Sequence, residues 1–255
     1  MQHATYKPGN YQLSPLQRVI ELSRPWLLLA CYIVFAVLHI WWVAIPVAFA
    51  VCMAGFIQMH DLTHSALGLS KKSNNLMLTL SALLLLKSGH SIQVTHLRHH
   101  GQCLGEDDPE GEPAKWTLKE VFLNGPYHIF TLRFASLRIA PNTRRVQLIE
   151  TGITALLLIG FIMLYYFTGS AVGLVYWGVV FVLSALLPLW ASYIPHRMAS
   201  RNPARLAGAK LSTIWTPMVA SFAFHHLHHA YPKVPTVLLP KAAKELPEPE
   251  DDHHH

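Results

Sequence analysis

The sequence predicts an all-α integral membrane protein: four transmembrane helices in two hairpins, a re-entrant or interfacial helix, and a histidine-rich cap on the cytoplasmic side. Three observations lead there. Of the 255 residues, 52% are hydrophobic and only 13% are charged, about half the charged share of a soluble domain. The apolar residues gather in four long runs joined pairwise by very short turns. The 17 histidines concentrate in short clusters beyond the ends of those runs.

The first run extends from about Pro25 to Trp42 and the second from about Val43 to Met59, with Pro46 near its start. The third runs from about Thr151 to Phe167 and the fourth from about Val172 to Ile194. Each approaches the ~20 residues that a hydrocarbon core of ~30 Å requires. A fifth apolar stretch, Leu76 to Leu86, ends at Lys87 and is too short to cross, so it reads as re-entrant or interfacial. The alternative is a full span continued through Ser88 to Val94, which would separate the histidine groups across the bilayer. The first 23 residues are polar and mixed, with Pro8, Gly9 and Pro15, and are not expected to act as a cleavable signal. One domain is expected over residues 1–252. His253, His254 and His255 follow the Pro/Glu tail at 245–252 and read as the stub of a purification tag.

A net charge of +6 does not point to nucleic acid, because its distribution follows membrane topology. All 20 Lys and Arg residues lie in the N-terminal segment, in the 65–147 connection or after Ile194, and none in the turns near Trp42 and Gly169. The positive-inside rule then assigns both termini and the long connection to the cytoplasm. The three cysteines, Cys31, Cys52 and Cys103, form no CxxC pair and read as buried or free thiols.

Three clusters carry the chemistry: His60-Asp61-Leu62-Thr63-His64, His96-Leu97-Arg98-His99-His100 and His225-His226-Leu227-His228-His229. On a helix, positions i, i+3 and i+4 share a face. The first cluster therefore directs His60 and His64 one way. The second does so with His96, His99 and His100, and the third with His225, His228 and His229. His226 is rotated by about 100° from His225 and reads as a supporting rather than a ligating residue. Neutral imidazole suits iron, zinc, copper and nickel. Eight such rings exceed the four ligands of a structural zinc site and suit two ions. His196, in Pro195-His196-Arg197, directly follows the fourth run and is a further candidate ligand. His39 reads as packing within the bundle, and His90, His128 and His3 as outside the site. A ligating imidazole commonly donates its other N–H to a carboxylate. Asp61 lies within the first cluster, and Asp108 is the chosen member of the acidic run Glu106-Asp107-Asp108.

At these residues the chain resembles the membrane fatty-acid desaturase superfamily, whose pattern HxxxH, HxxHH, HxxHH is matched here by His60/His64, His96/His99/His100 and His225/His228/His229. The short length, His60-Asp61-x-x-His64 and Pro195-His196-Arg197 are similar in layout to bacterial carotenoid ketolases, in which the Pro-His-Arg histidine would be a ninth ligand. The residues after Arg197 and Thr236-Val237 depart from that branch, and Leu238-Leu239-Pro240-Lys241 looks more like acyl desaturases. The resemblance implies a helical bundle, two iron ions, O2 as co-substrate, a lipid substrate in a tunnel between the spans, and electrons from a separate donor such as ferredoxin and its reductase. Trp41, Trp42 and Phe56 are candidates for the tunnel wall. A histidine-rich metal transporter would need polar ligands near the midplane of the spans, which they largely lack. A zinc hydrolase would need a general-base glutamate as in HExxH, and no cluster holds one.

Overall fold

The computed structural model describes residues 7–197 and 223–247. His3, His253–His255, the stretch following Arg197 and most of the Pro/Glu tail lie outside the described residues. Among those described, every regular element is helical. Helix α1 is Pro15–Val37 and α2 is Trp41–Thr63. Helix α3 is Lys71–Leu84, α4 is Gly89–Gln102 and α5 is Leu118–Ile139. Helix α6 is Arg144–Thr168 and α7 is Val172–Ala185. Three short helices follow: α8 at Ile194–Arg197, α9 at His225–Ala230 and α10 at Leu239–Glu245.

Helices α1 and α2, together with residues 141–168, are each long and apolar enough to cross a membrane, and α7 with Pro188–Arg197 makes a fourth when the bent pair is taken as one span. The first span begins ten residues before the apolar run does. Ser14 accepts the N–H of Gln17, whose side chain accepts the N–H of Ser14, and Pro15 at the first helical position needs no N–H partner. The turn after α1 sets His39 at φ +58. His39 is exposed there, edge-on to Trp41, rather than packed within the bundle as the sequence suggested. The fourth span is not straight. A π-helical turn at Pro188–Tyr193 bends the chain by about 40° after α7, because Pro188 lacks an N–H and breaks the backbone ladder.

Small residues let the first hairpin close tightly. Ala36, Ala44, Ala48 and Val51 are fully buried beside Tyr32. Tyr32 and Tyr176 donate their hydroxyls to the carbonyls of Val172 and Leu84, at 2.5 and 2.7 Å, and so tie α7 into this core. Gln58 of α2 donates to the carbonyls of Glu21 and Leu22 and accepts from Ser81 of α3. By contrast, almost none of the apolar window of residues 141–168 is buried, as expected for a lipid-facing helix.

Helix α3 starts at Lys71, five residues before the apolar stretch, and it does not pass as a span. It and α4 form a short hairpin whose turn, residues 85–88, puts Leu86 at φ +51. Glu150 of α6 holds that turn, accepting from Thr79, Ser88, the backbone N–H of His90 and its Nδ1. The sequence left α5 inside a long connection. It is a helix that exposes Phe122, Tyr127, Phe130 and Phe134 and buries Val121, Gly125, His128 and Ala135. A side chain at Gly125 would strike the Ala185 carbonyl, so glycine is what lets α5 reach α7.

Candidate metal centre

Four elements deliver imidazoles to one place. The end of α2 carries His60, with His64 as its C-cap. The last two turns of α4 carry His96, His99 and His100, α8 carries His196, and α9 carries His225, His228 and His229. His60, His64, His96 and His228, all buried, each offer a ligand atom within 4.8 Å of the others. His99, His196, His229 and Cys103 form a second such group. His100 bridges the two, its ring 4.5 Å from that of His64 and stacked 4.2 Å from that of His229. His225 lies 4.5 Å from His196, ring to ring.

The nitrogens converge. Nε2 of His228 lies 3.0 Å from Nε2 of His100, and Nε2 of His196 lies 3.1 Å from Nε2 of His99 and 3.0 Å from Nε2 of His225. Two nitrogens bound at right angles to an ion at ~2.1 Å would be about 3 Å apart. Nε2 of His64, His96 and His229 is buried with no hydrogen-bond partner. Buried polar atoms without partners are uncommon, and lone pairs aimed into a shared space fit a site for cations. These residues therefore could hold two metal ions.

Two carboxylates orient the second cluster. Nδ1 of His99 is 2.7 Å from Asp108 Oδ2, and Nδ1 of His96 is 2.6 Å from Glu110 Oε1. An N–H donated to each carboxylate leaves Nε2 as the lone-pair nitrogen. Asp108 also accepts the N–H groups of Leu104 and Gly111. A Cβ at residue 111 would collide with the Asp108 carboxylate, so glycine is required there. Burial favours a neutral Asp108, but the bonds and charge of His99 and the two N–H groups outweigh it and hold the carboxyl below its usual range. In the metal-free site, burial lowers His99 while Asp108 and Glu110 raise it, and the net direction is up. Burial and neighbouring imidazoles push His96, His225, His228 and His229 well below the ordinary value and His100 down to about 3. Neutral imidazole is the metal-binding form.

Asp61 does something other than hold an imidazole. Its Oδ1 lies 3.7 Å from His60 Nδ1, beyond hydrogen-bond range, and its carboxylate instead accepts the backbone N–H and hydroxyl of Thr236. His226 is only partly buried, its ring 6.5 Å from that of His225. His90 lies on Glu150, and His128 is buried against Trp116. Sequence reading missed Glu110, whose only signal is its closeness to the acidic run. It also missed Cys103, three residues past His100.

A cavity of about 280 Å³ opens onto His60 and His96. Its lining is mainly apolar, including Met53, Phe56, Val180, Leu183 and Trp190, with Phe56 and Trp190 packed edge-on at 4.6 Å. Trp41 and Trp42 are not part of the wall, and Trp42 is 80% exposed at the start of α2.

No curated protein and no solved structure matches the chain. The family model described as fatty acid desaturase matches residues 36–255, most of the chain and all four histidine-bearing elements. The chain belongs to the fatty acid desaturase family.

Proposed function

We propose that this protein is a membrane oxidoreductase that uses two iron ions and O2 to desaturate or hydroxylate a fatty-acyl lipid. The observation that carries the reading is an apolar cavity that opens onto His60 and His96, members of one of two adjoining groups of converging imidazoles. His60, His64, His96 and His228, with His100, would hold one ion. His99, His196, His225 and His229 would hold the other. When bound, the irons supply the O2-dependent removal of hydrogen from an unactivated C–H bond.

The chain's own residues do the rest. Asp108 and Glu110 hold His99 and His96 in one tautomer and orientation. The apolar wall aligns an alkyl chain and keeps water away. With the positive-inside bias of its Lys and Arg residues, the protein would carry both termini and the centre on the cytoplasmic side, within reach of a separate electron donor such as ferredoxin with its reductase.

A carotenoid ketolase or hydroxylase is the second reading. The convergence of His196, from Pro195-His196-Arg197, with His99 and His225 supports it. Expressing the full chain in cells that make β-carotene, with mass spectrometry of pigments and fatty acids, separates the two. New double bonds or hydroxyls in acyl chains with unchanged pigment support the first. Keto-carotenoids with unchanged acyl chains replace it with the second. Purified protein without tightly held iron would overturn both.

A further inference from the structure

The α3–α4 hairpin starts and ends beside the histidines, so its turn lies at the far end of the cavity. From Gly89 to His96 the helix rises roughly 10 Å. Lys87 stands in that turn and lines the same cavity that reaches His60 and His96. Among the described residues, most of the polar side chains around it are occupied. Thr79, Ser88 and His90 are bound to Glu150, Ser91 is paired with Ser136, and Arg133 donates to Gln147. Glu110 is engaged with His96. The Lys87 side chain makes no hydrogen bond or ion pair with any described residue.

Glu110, already bound to His96, acts on the Lys87 ammonium only through space, and a buried ammonium with no ion-pair partner is costly and marks a site whose partner can come from elsewhere. The remaining wall is mostly apolar and suits an alkyl chain. A carboxylate would give Lys87 both a negative charge and two acceptor oxygens, whereas an ester offers acceptor oxygens but no charge.

We propose that Lys87 receives the carboxylate of a free long-chain fatty acid, which lies head-first in the cavity with its mid-chain carbons beside the imidazoles. This rests on the lipid-oxidising reading above and adds to it the chemical form and orientation of the substrate. Lys87 acts as a specificity and positioning residue at the end remote from the chemistry.

The test is equilibrium binding of radiolabelled stearate and methyl stearate to the full-length protein in phosphatidylcholine nanodiscs, with iron content and melting temperature read on the same samples. Wild type and K87R are expected to bind stearate at least tenfold more tightly than the ester. K87M and K87Q are expected to lose that tenfold preference by weakening stearate alone. Comparing variants cancels partitioning into lipid. Equal affinity of wild type for acid and ester overturns the proposal, as does unchanged stearate affinity in a folded K87M or K87Q. Binding needs no turnover. Absent iron or absent oxidation would therefore count against the proposed function, while indifference to the acid in an iron-loaded, active protein would count against Lys87 alone.

Discussion

Asp61 and Thr236, 175 positions apart, are joined by three hydrogen bonds: the carboxylate accepts the Thr236 N–H at 3.1 Å from each oxygen and its hydroxyl at 2.5 Å. Both residues are buried. The contact fastens the segment that follows α9 to the end of α2, so the imidazoles of the third cluster face those of the first.

Replacing Asp61 with Ala leaves two buried donors without an acceptor, a loss of about 1–3 kcal/mol for each. D61A is expected to melt several degrees lower and to retain less iron than wild type. T236V, which removes only the hydroxyl, should fall between them. Melting curves and iron analysis check this, and a wild-type melt for D61A would contradict the clamp.

Asp108 and Glu110 serve different proposed ions, through His99 and His96. Loss of such a carboxylate typically lowers metal affinity by 10–100-fold. D108N is expected to weaken the ion near His196 and His229, and E110Q the ion near His60 and His64. Chelator titration followed by Mössbauer spectroscopy distinguishes the two. Identical losses in both variants would show that the carboxylates do not act separately.

His90 and Glu150 belong to the scaffold. E150A would strand the donors of Thr79, Ser88 and His90, each at a cost of about 1–3 kcal/mol. H90A should be milder and should keep its full iron complement. H99A and H228A, by contrast, should lose iron and activity while still inserting in the membrane. Iron loss in H90A comparable to that in H99A would refute this division.

The metal-free protein should lose stability in acid. His96, His100, His225, His228 and His229 stay neutral when folded because burial lowers their pKa, whereas in the unfolded chain they take up protons near pH 6.5. Below that pH the unfolded state binds more protons, so stability is lost as pH falls from 6.5 toward the folded values, about 3 for His100. His99 has the opposite sign: its contribution is present below 6.5 and fades as pH rises through its elevated value. Five residues outweigh one, so the melting temperature is expected to drop steadily between pH 7 and pH 5. A rise over that interval would contradict the assignment.

The helical class and the histidine clusters were legible in the sequence because both are local. A long apolar run is sufficient to identify a helix that can cross a bilayer, and spacing of three and four residues decides which imidazoles share a helical face. The candidate spans at 25–42, 43–59 and 151–167 all fall largely on helices, although capping by Ser14 moved one start and Pro188 broke the fourth run. Helix α5 was not legible, since its apolar residues are interleaved with Lys119, Glu120, Arg133 and Arg138.

What the sequence by itself determined was the inventory: enough imidazoles for two ions, on helices and at the ends of apolar runs. Only the tertiary structure decided the partnerships: Glu110 on His96, Asp61 on Thr236 rather than on an imidazole, His196 against His99, and Lys87 in the wall of the cavity. The physical reason is range. Helical periodicity acts within a few residues, whereas a hydrogen bond across 175 positions depends on the path of the entire chain, which no local spacing encodes.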